Sequence, residues 1–105
     1  MRQTRQATTE ALEARARGWL AGMRELGVTT VECKSGYGLD RETELRLLNV
    51  YRRLAESQPS RLVSTYLGAH VVPAEFRERR DEYLRLLIDE MIPAVAREGL
   101  AQCCD

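Results

Sequence analysis

Two short segments, Lys34-Ser35-Gly36-Tyr37-Gly38-Leu39-Asp40 and Gly68-Ala69-His70-Val71-Val72-Pro73, constrain this chain more than any other feature. Each follows a β-branched run and precedes a stretch of helical spacing, so strand, loop and helix occur twice in succession. In parallel α/β architectures such loops collect at the C-terminal ends of the strands, where binding and catalytic groups gather. The one histidine of the chain, His70, lies in the second loop.

The remaining elements follow from the same patterning. Leu12, Trp19, Leu20, Met23 and Leu26 repeat at helical spacing within residues 4–26, Gly27 is a natural stop, and Gly18 and Gly22 weaken the helix locally. Val28-Thr29-Thr30-Val31-Glu32-Cys33 reads as a strand that breaks at Ser35-Gly36. Asp40 is placed to cap a second helix, with Glu42 and Glu44 at its positive end and Leu45, Leu48, Tyr51 and Leu54 as its buried stripe. Pro59 closes that segment, and a second strand fits residues 61–67.

A third helix fits residues 81–98, burying Tyr83, Leu84, Leu87, Ile88, Met91 and Val95 and kinking near Met91-Ile92 ahead of Pro93. After Gly99, residues 100–104 read as the opening of a third strand. Strands beginning near residues 28, 61 and 100 with helices between them predict an α/β fold of parallel βα repeats. The period fits a closed barrel or an open doubly wound sheet. Three parallel strands leave two edges open, so residues 1–105 read as one incomplete domain of about three helices and two to three strands, with no second domain; if the strands belong to a closed barrel of eight, they supply only part of its wall.

Composition removes several classes of function. The 16 basic and 16 acidic side chains balance, and the densest basic stretch, Arg77-Glu78-Arg79-Arg80-Asp81-Glu82, is interleaved with acids, so no nucleic-acid partner is expected. No apolar run approaches the length of a bilayer span and no signal-peptide core is present, which excludes a membrane partner and makes the cytoplasm the default compartment. Cys33, Cys103 and Cys104 form no CxxC pair, and buried reduced thiols are expected.

Three groups carry chemistry. Glu32 and Lys34 lie two apart on a strand, so both face one side; inside a barrel they form an internal ion pair under the site or act on substrate directly. Tyr37, between two glycines, is either a hydrogen-bond donor to an anionic ligand or a turn tyrosine packed over the rim. Gly36-Tyr37-Gly38 is no dinucleotide fingerprint, because Arg41 occupies the third glycine position. His70, the one side chain that ordinarily titrates near neutrality, stands at a strand's C-terminal end on the same face as Tyr37, which favours a catalytic over a structural role.

The run from Val28 to Asp40, then Glu42-Thr43-Glu44-Leu45, Tyr66-Leu67-Gly68-Ala69-His70-Val71-Val72-Pro73 and Asp89-Glu90-Met91-Ile92-Pro93-Ala94-Val95-Ala96, closely resembles the imidazolonepropionase family of the amidohydrolase superfamily. The likeness is weakest before Leu26. It implies a cytoplasmic enzyme of histidine degradation built as a TIM-like (β/α)8 barrel. That enzyme takes 4-imidazolone-5-propanoate and water to N-formimidoyl-L-glutamate with the help of zinc or iron.

By the same resemblance Tyr37 contacts the substrate, and His70 both binds it and serves catalysis. The family's metal ligands, three histidines and an aspartate, have no counterpart here, so the chain is expected to be an internal fragment, inactive alone, whose parent holds the metal elsewhere and is compatible with a homo-oligomer. Asp105 is assigned no ligand role, and Lys34 no carboxylated, metal-bridging one. The alternatives are another amidohydrolase and a small non-catalytic α/β module that binds an anion through Tyr37 and His70.

Overall fold

The structure, a computed structural model, describes residues 1–105. Helices α1 (Arg2–Gln6) and α2 (Thr9–Glu25) lead into strand β1 (Thr30–Lys34), followed by α3 (Arg41–Ser57) and β2 (Arg61–Tyr66). A 3-10 turn at Ala74–Phe76 precedes α4 (Arg80–Arg85), a π-helical segment (Leu86–Met91), α5 (Ile92–Arg97) and β3 (Cys103–Cys104). The three strands are parallel in the order β1-β2-β3, with Thr30 opposite Arg61, Lys34 opposite Thr65 and Thr65 opposite Cys103. The α/β reading with parallel βα repeats is therefore what the chain adopts.

Backbone chemistry sets the boundaries. Gly27, at φ +86°, takes the left-handed turn that ends α2: its N–H donates to the Arg24 carbonyl at 2.9 Å, and that of Val28 donates to Met23 at 3.1 Å. Gly99, at φ +60°, repeats this device after α5, with Leu100 donating to Val95. Both are Schellman closures, which satisfy the last helical carbonyls and turn the chain into the next strand. Asp40 caps α3 as expected, its Oδ1 accepting the Thr43 N–H at 2.8 Å. Asp40→Ala should lower stability by about 1 kcal/mol, the usual cost of a lost cap, readable as a lower urea midpoint.

Several sequence expectations are corrected, among them the buried thiols, since Cys103 and Cys104 are exposed and Cys33 only half-buried. The helix expected over residues 4–26 is divided at Ala7, which is extended, because Thr8 starts a new helix by accepting the Ala11 N–H. Of its expected stripe only Leu20 is buried, while Trp19, Met23 and Leu26 remain exposed. The expected kink before Pro93 takes the form of the π-helical segment, in which the Ile92 N–H reaches back five residues to Leu87. Pro93 supplies no N–H, and the wider turn just before it accommodates that loss.

The wide turn also aligns the core. Side chains four apart drift about 40° per step on an α-helix, since 3.6 residues make a turn. Over the π-helical segment that drift is absorbed, so Tyr83, Leu87, Met91 and Val95 all point inward. Leu84 and Ile88, expected in the stripe, form with Ile92 an outward row.

One face of the sheet is covered by helices. Val31 and Leu62 pack with Leu20, Val50 and Leu54, and Tyr66 packs with Leu48, Leu87, Met91 and Leu100. Fully burying one such side chain is worth about 1.5–3 kcal/mol, more than a cap, so packing holds the layers together while caps fix where they begin. Tyr66 Oη is buried without a hydrogen-bond partner, a cost the surrounding apolar contacts offset. No helix is long and apolar enough to cross a membrane.

Candidate active site

The β1–α3 loop is drawn against the β2 loop by Ser35. Its N–H donates to the Thr65 carbonyl and its Oγ accepts the Leu67 N–H, both at 3.0 Å, so pairing of β1 with β2 extends one residue past the strand. Gly36, at φ +91°, follows. A Cβ on Gly36 would collide with the Leu67 carbonyl oxygen and crowd the Cβ of His70, so the two loops touch where a side chain would stand. Tyr51 donates to the Lys34 carbonyl at 3.0 Å, and burial pushes its phenol pKa well up.

Glu44 organises the Tyr37 loop. Its carboxylate, 1% exposed, accepts the N–H of Gly36 at 2.7 Å on Oε2 and those of Gly38 at 2.8 Å and Leu39 at 3.0 Å on Oε1. A buried carboxylate without such donors would cost several kcal/mol, so loop and acid fix each other. Leu39 takes the left-handed conformation, φ 59°, with its side chain sunk in the core. Glu44 is thus not only a helix-dipole residue.

On the second loop, Tyr83 Oη donates to the Gly68 carbonyl at 2.6 Å, and burial pushes its pKa up to about 12. The His70 N–H closes a turn onto the Leu67 carbonyl at 3.2 Å. Arg5 links the two loops: its Nε donates to the Gly38 carbonyl at 2.6 Å and lies 2.8 Å from Asp40 Oδ2, while Nη2 meets Glu75 Oε1 at 2.6 Å. A backbone hydrogen bond and the Arg5 guanidinium hold the Glu75 carboxyl below its ordinary range.

This scaffold brings Tyr37 and His70 together, ring centroids 6.0 Å apart and planes tilted by 49°. Both side chains are exposed, at the C-terminal ends of adjacent parallel strands. A phenol and an imidazole so placed offer two hydrogen-bonding groups to one small molecule, and the imidazole can also carry a proton.

Beneath them, on the sheet face opposite the helices, lies a polar network from β1, β2 and Asp105, the residue just after β3. Lys34 Nζ pairs with Asp105 and lies 3.6 Å from Glu32 Oε1, which also accepts the Thr65 hydroxyl at 2.6 Å. Asp105 holds the Lys34 ammonium above its ordinary pKa, and Lys34 holds the Asp105 carboxyl below its own. Glu32 and Lys34 therefore pair, though half-exposed where an internal pair was expected, with Asp105 as a second carboxylate that sequence reasoning left idle.

Arg5, Ser35 and Glu44 were not legible as site residues. Arg5 acts across 33 and 70 residues, and no local pattern announces such contacts. For Glu44 a signal existed: two glycines with free N–H groups just before an acid in the first helical turn. An apolar cavity of about 610 Å³ between α2, β1 and α3 shares Tyr37 with the site, and His70 is absent from its lining.

No family model matches the chain. Curated relatives do. An imidazolonepropionase of Myxococcus xanthus is 53% identical over 102 residues, covering 97% of this chain and 24% of that protein. Those of Alkaliphilus metalliredigens and Porphyromonas gingivalis are 50% and 48% identical, covering 97% and 100% of this chain and 24% and 25% of theirs. The chain corresponds in sequence to part of an imidazolonepropionase. It spans about a quarter of the length of the imidazolonepropionases it matches. No three His, Cys, Asp or Glu side chains converge here as a metal would require, so the zinc or iron implied by the resemblance does not fit these residues.

Proposed function

We propose that this chain is one sector of a TIM-like barrel hydrolase and supplies part of its substrate pocket. Residues 1–105 form one partial domain of that barrel, and the reaction is hydrolysis of 4-imidazolone-5-propanoate to N-formimidoyl-L-glutamate. The observation that carries this reading is the Tyr37–His70 pair at the ends of adjacent parallel strands, within a chain about half identical to imidazolonepropionases. The zinc or iron belongs, in this proposal, to the rest of a longer chain, and the sector alone is inactive.

The roles follow from the chemistry of the two groups. The Tyr37 phenol donates a hydrogen bond to the substrate and fixes its orientation. An imidazole N–H of His70 donates to the ring carbonyl oxygen, an interaction that strengthens as negative charge develops there in the tetrahedral transition state. Proton transfer is its secondary task. The Lys34–Glu32–Asp105 network forms the pocket floor, where opposite charges hold one another in place.

The direct test is turnover of 4-imidazolone-5-propanoate by the complete enzyme, followed by loss of substrate and appearance of N-formimidoyl-L-glutamate. Turnover of other cyclic amides, with none of this substrate, would replace the assignment by another amidohydrolase.

A further inference from the structure

We propose that Glu44 is a positioning residue for the substrate pocket, setting the Tyr37 phenol against His70 through the loop's own backbone. This rests on the reading of Tyr37 as a substrate contact. Glu44 does not reach the pocket: its carboxylate is 1% exposed and accepts three N–H groups, those of Gly36, Gly38 and Leu39. Two of the three flank Tyr37 directly. The Tyr37 side chain itself is 53% exposed and lacks burial to fix it, so its placement derives from the backbone on either side.

Each flanking glycine is kept in place by something besides Glu44. Gly36 abuts the Leu67 carbonyl and His70 Cβ, and Gly38 abuts the Thr43 side chain while its carbonyl accepts from Arg5. What the carboxylate adds is a common anchor: Oε2 holds the residue before Tyr37 and Oε1 the residues after it. The arc that presents the phenol is thereby closed from below. Glutamine cannot reproduce this, since one side-chain oxygen would become an NH₂ group facing backbone N–H donors.

The test uses the complete enzyme with Glu44→Gln, Tyr37→Phe and the double substitution. Displacement of a contact by about 1 Å costs on the order of 100-fold, so Glu44→Gln is expected to lower kcat/KM by about that factor. If Glu44 acts through Tyr37, the double variant falls no further than Tyr37→Phe alone, within about twofold. Losses that multiply, as independent sites do, would overturn the proposal.

A second measurement is independent of turnover and of whether the variants fold. In the native enzyme the Gly36, Gly38 and Leu39 amides should be strongly protected from hydrogen exchange, and a nuclear Overhauser contact should join the Tyr37 and His70 rings. Free exchange of those three amides in the native enzyme would also overturn it. Should the enzyme not hydrolyse 4-imidazolone-5-propanoate, the functional reading fails on that result, and the exchange experiment still decides whether Glu44 holds the loop.

Discussion

Replacing His70 by alanine in the complete enzyme is expected to lower kcat by about 100- to 1,000-fold, the usual loss when one donor to a developing oxyanion is removed. KM should change far less, because the interaction is strongest in the transition state. The fold should survive: His70 is exposed on its loop, and what anchors that loop is its backbone N–H and the Gly68 carbonyl, which alanine leaves untouched. His70→Gln separates the two roles of the imidazole. Glutamine keeps an N–H donor but cannot shuttle a proton at neutral pH, so partial recovery assigns stabilisation and none assigns proton transfer. Unchanged turnover in His70→Ala, measured by steady-state kinetics, refutes both.

Gly36→Ala is expected to cost about 3 kcal/mol of stability and most of the activity. At φ +91° an L side chain pays roughly 1–2 kcal/mol of backbone strain. The added Cβ also overlaps the Leu67 carbonyl oxygen, and overpacking of that kind adds about 1–3 kcal/mol. Relief requires the two loops to part, which moves Tyr37 away from His70. Gly18→Ala is the matching control: nothing lies within 4 Å of a Cβ there, so helix propensity alone should make it neutral or slightly stabilising. Urea midpoints of the two variants that moved together would remove the steric explanation.

Sequence patterning disclosed the order of elements because its signals are local. Asp40 is a cap whatever surrounds it, and Gly27 and Gly99 end helices by a conformation other residues take only with strain. Placing Tyr37 and His70 on one face needed only the parallel alternation of strand and helix, and their rings indeed meet. What stayed hidden depends on distant partners. Trp19 and Ile88 keep helical spacing yet remain exposed, since periodicity states which residues share a face and not whether anything in the chain covers it. Pro93 announced a defect without its form, because a kink and a wide turn relieve the same lost hydrogen bond. Arg5 and Glu44 are the sharpest cases, polar side chains whose partners are set only once both loops have folded.

The order β1-β2-β3 also bears on how the chain assembles. Each strand pairs with the one made just before it, Thr30 with Arg61 and Thr65 with Cys103, so every ladder closes over a single crossover. Closure entropy then stays modest, rising only about 0.6 kcal/mol for each doubling of loop length. Assembly from the N-terminus forward meets no strand that must wait for one made later, although each parallel pairing still bridges a whole helix, the non-local kind of contact that slows folding. The contacts that set Tyr37 against His70 run from Arg5 to Tyr83, all encoded ahead of Cys103. The hydrogen bonds that set Tyr37 against His70 therefore need no residue of the third strand.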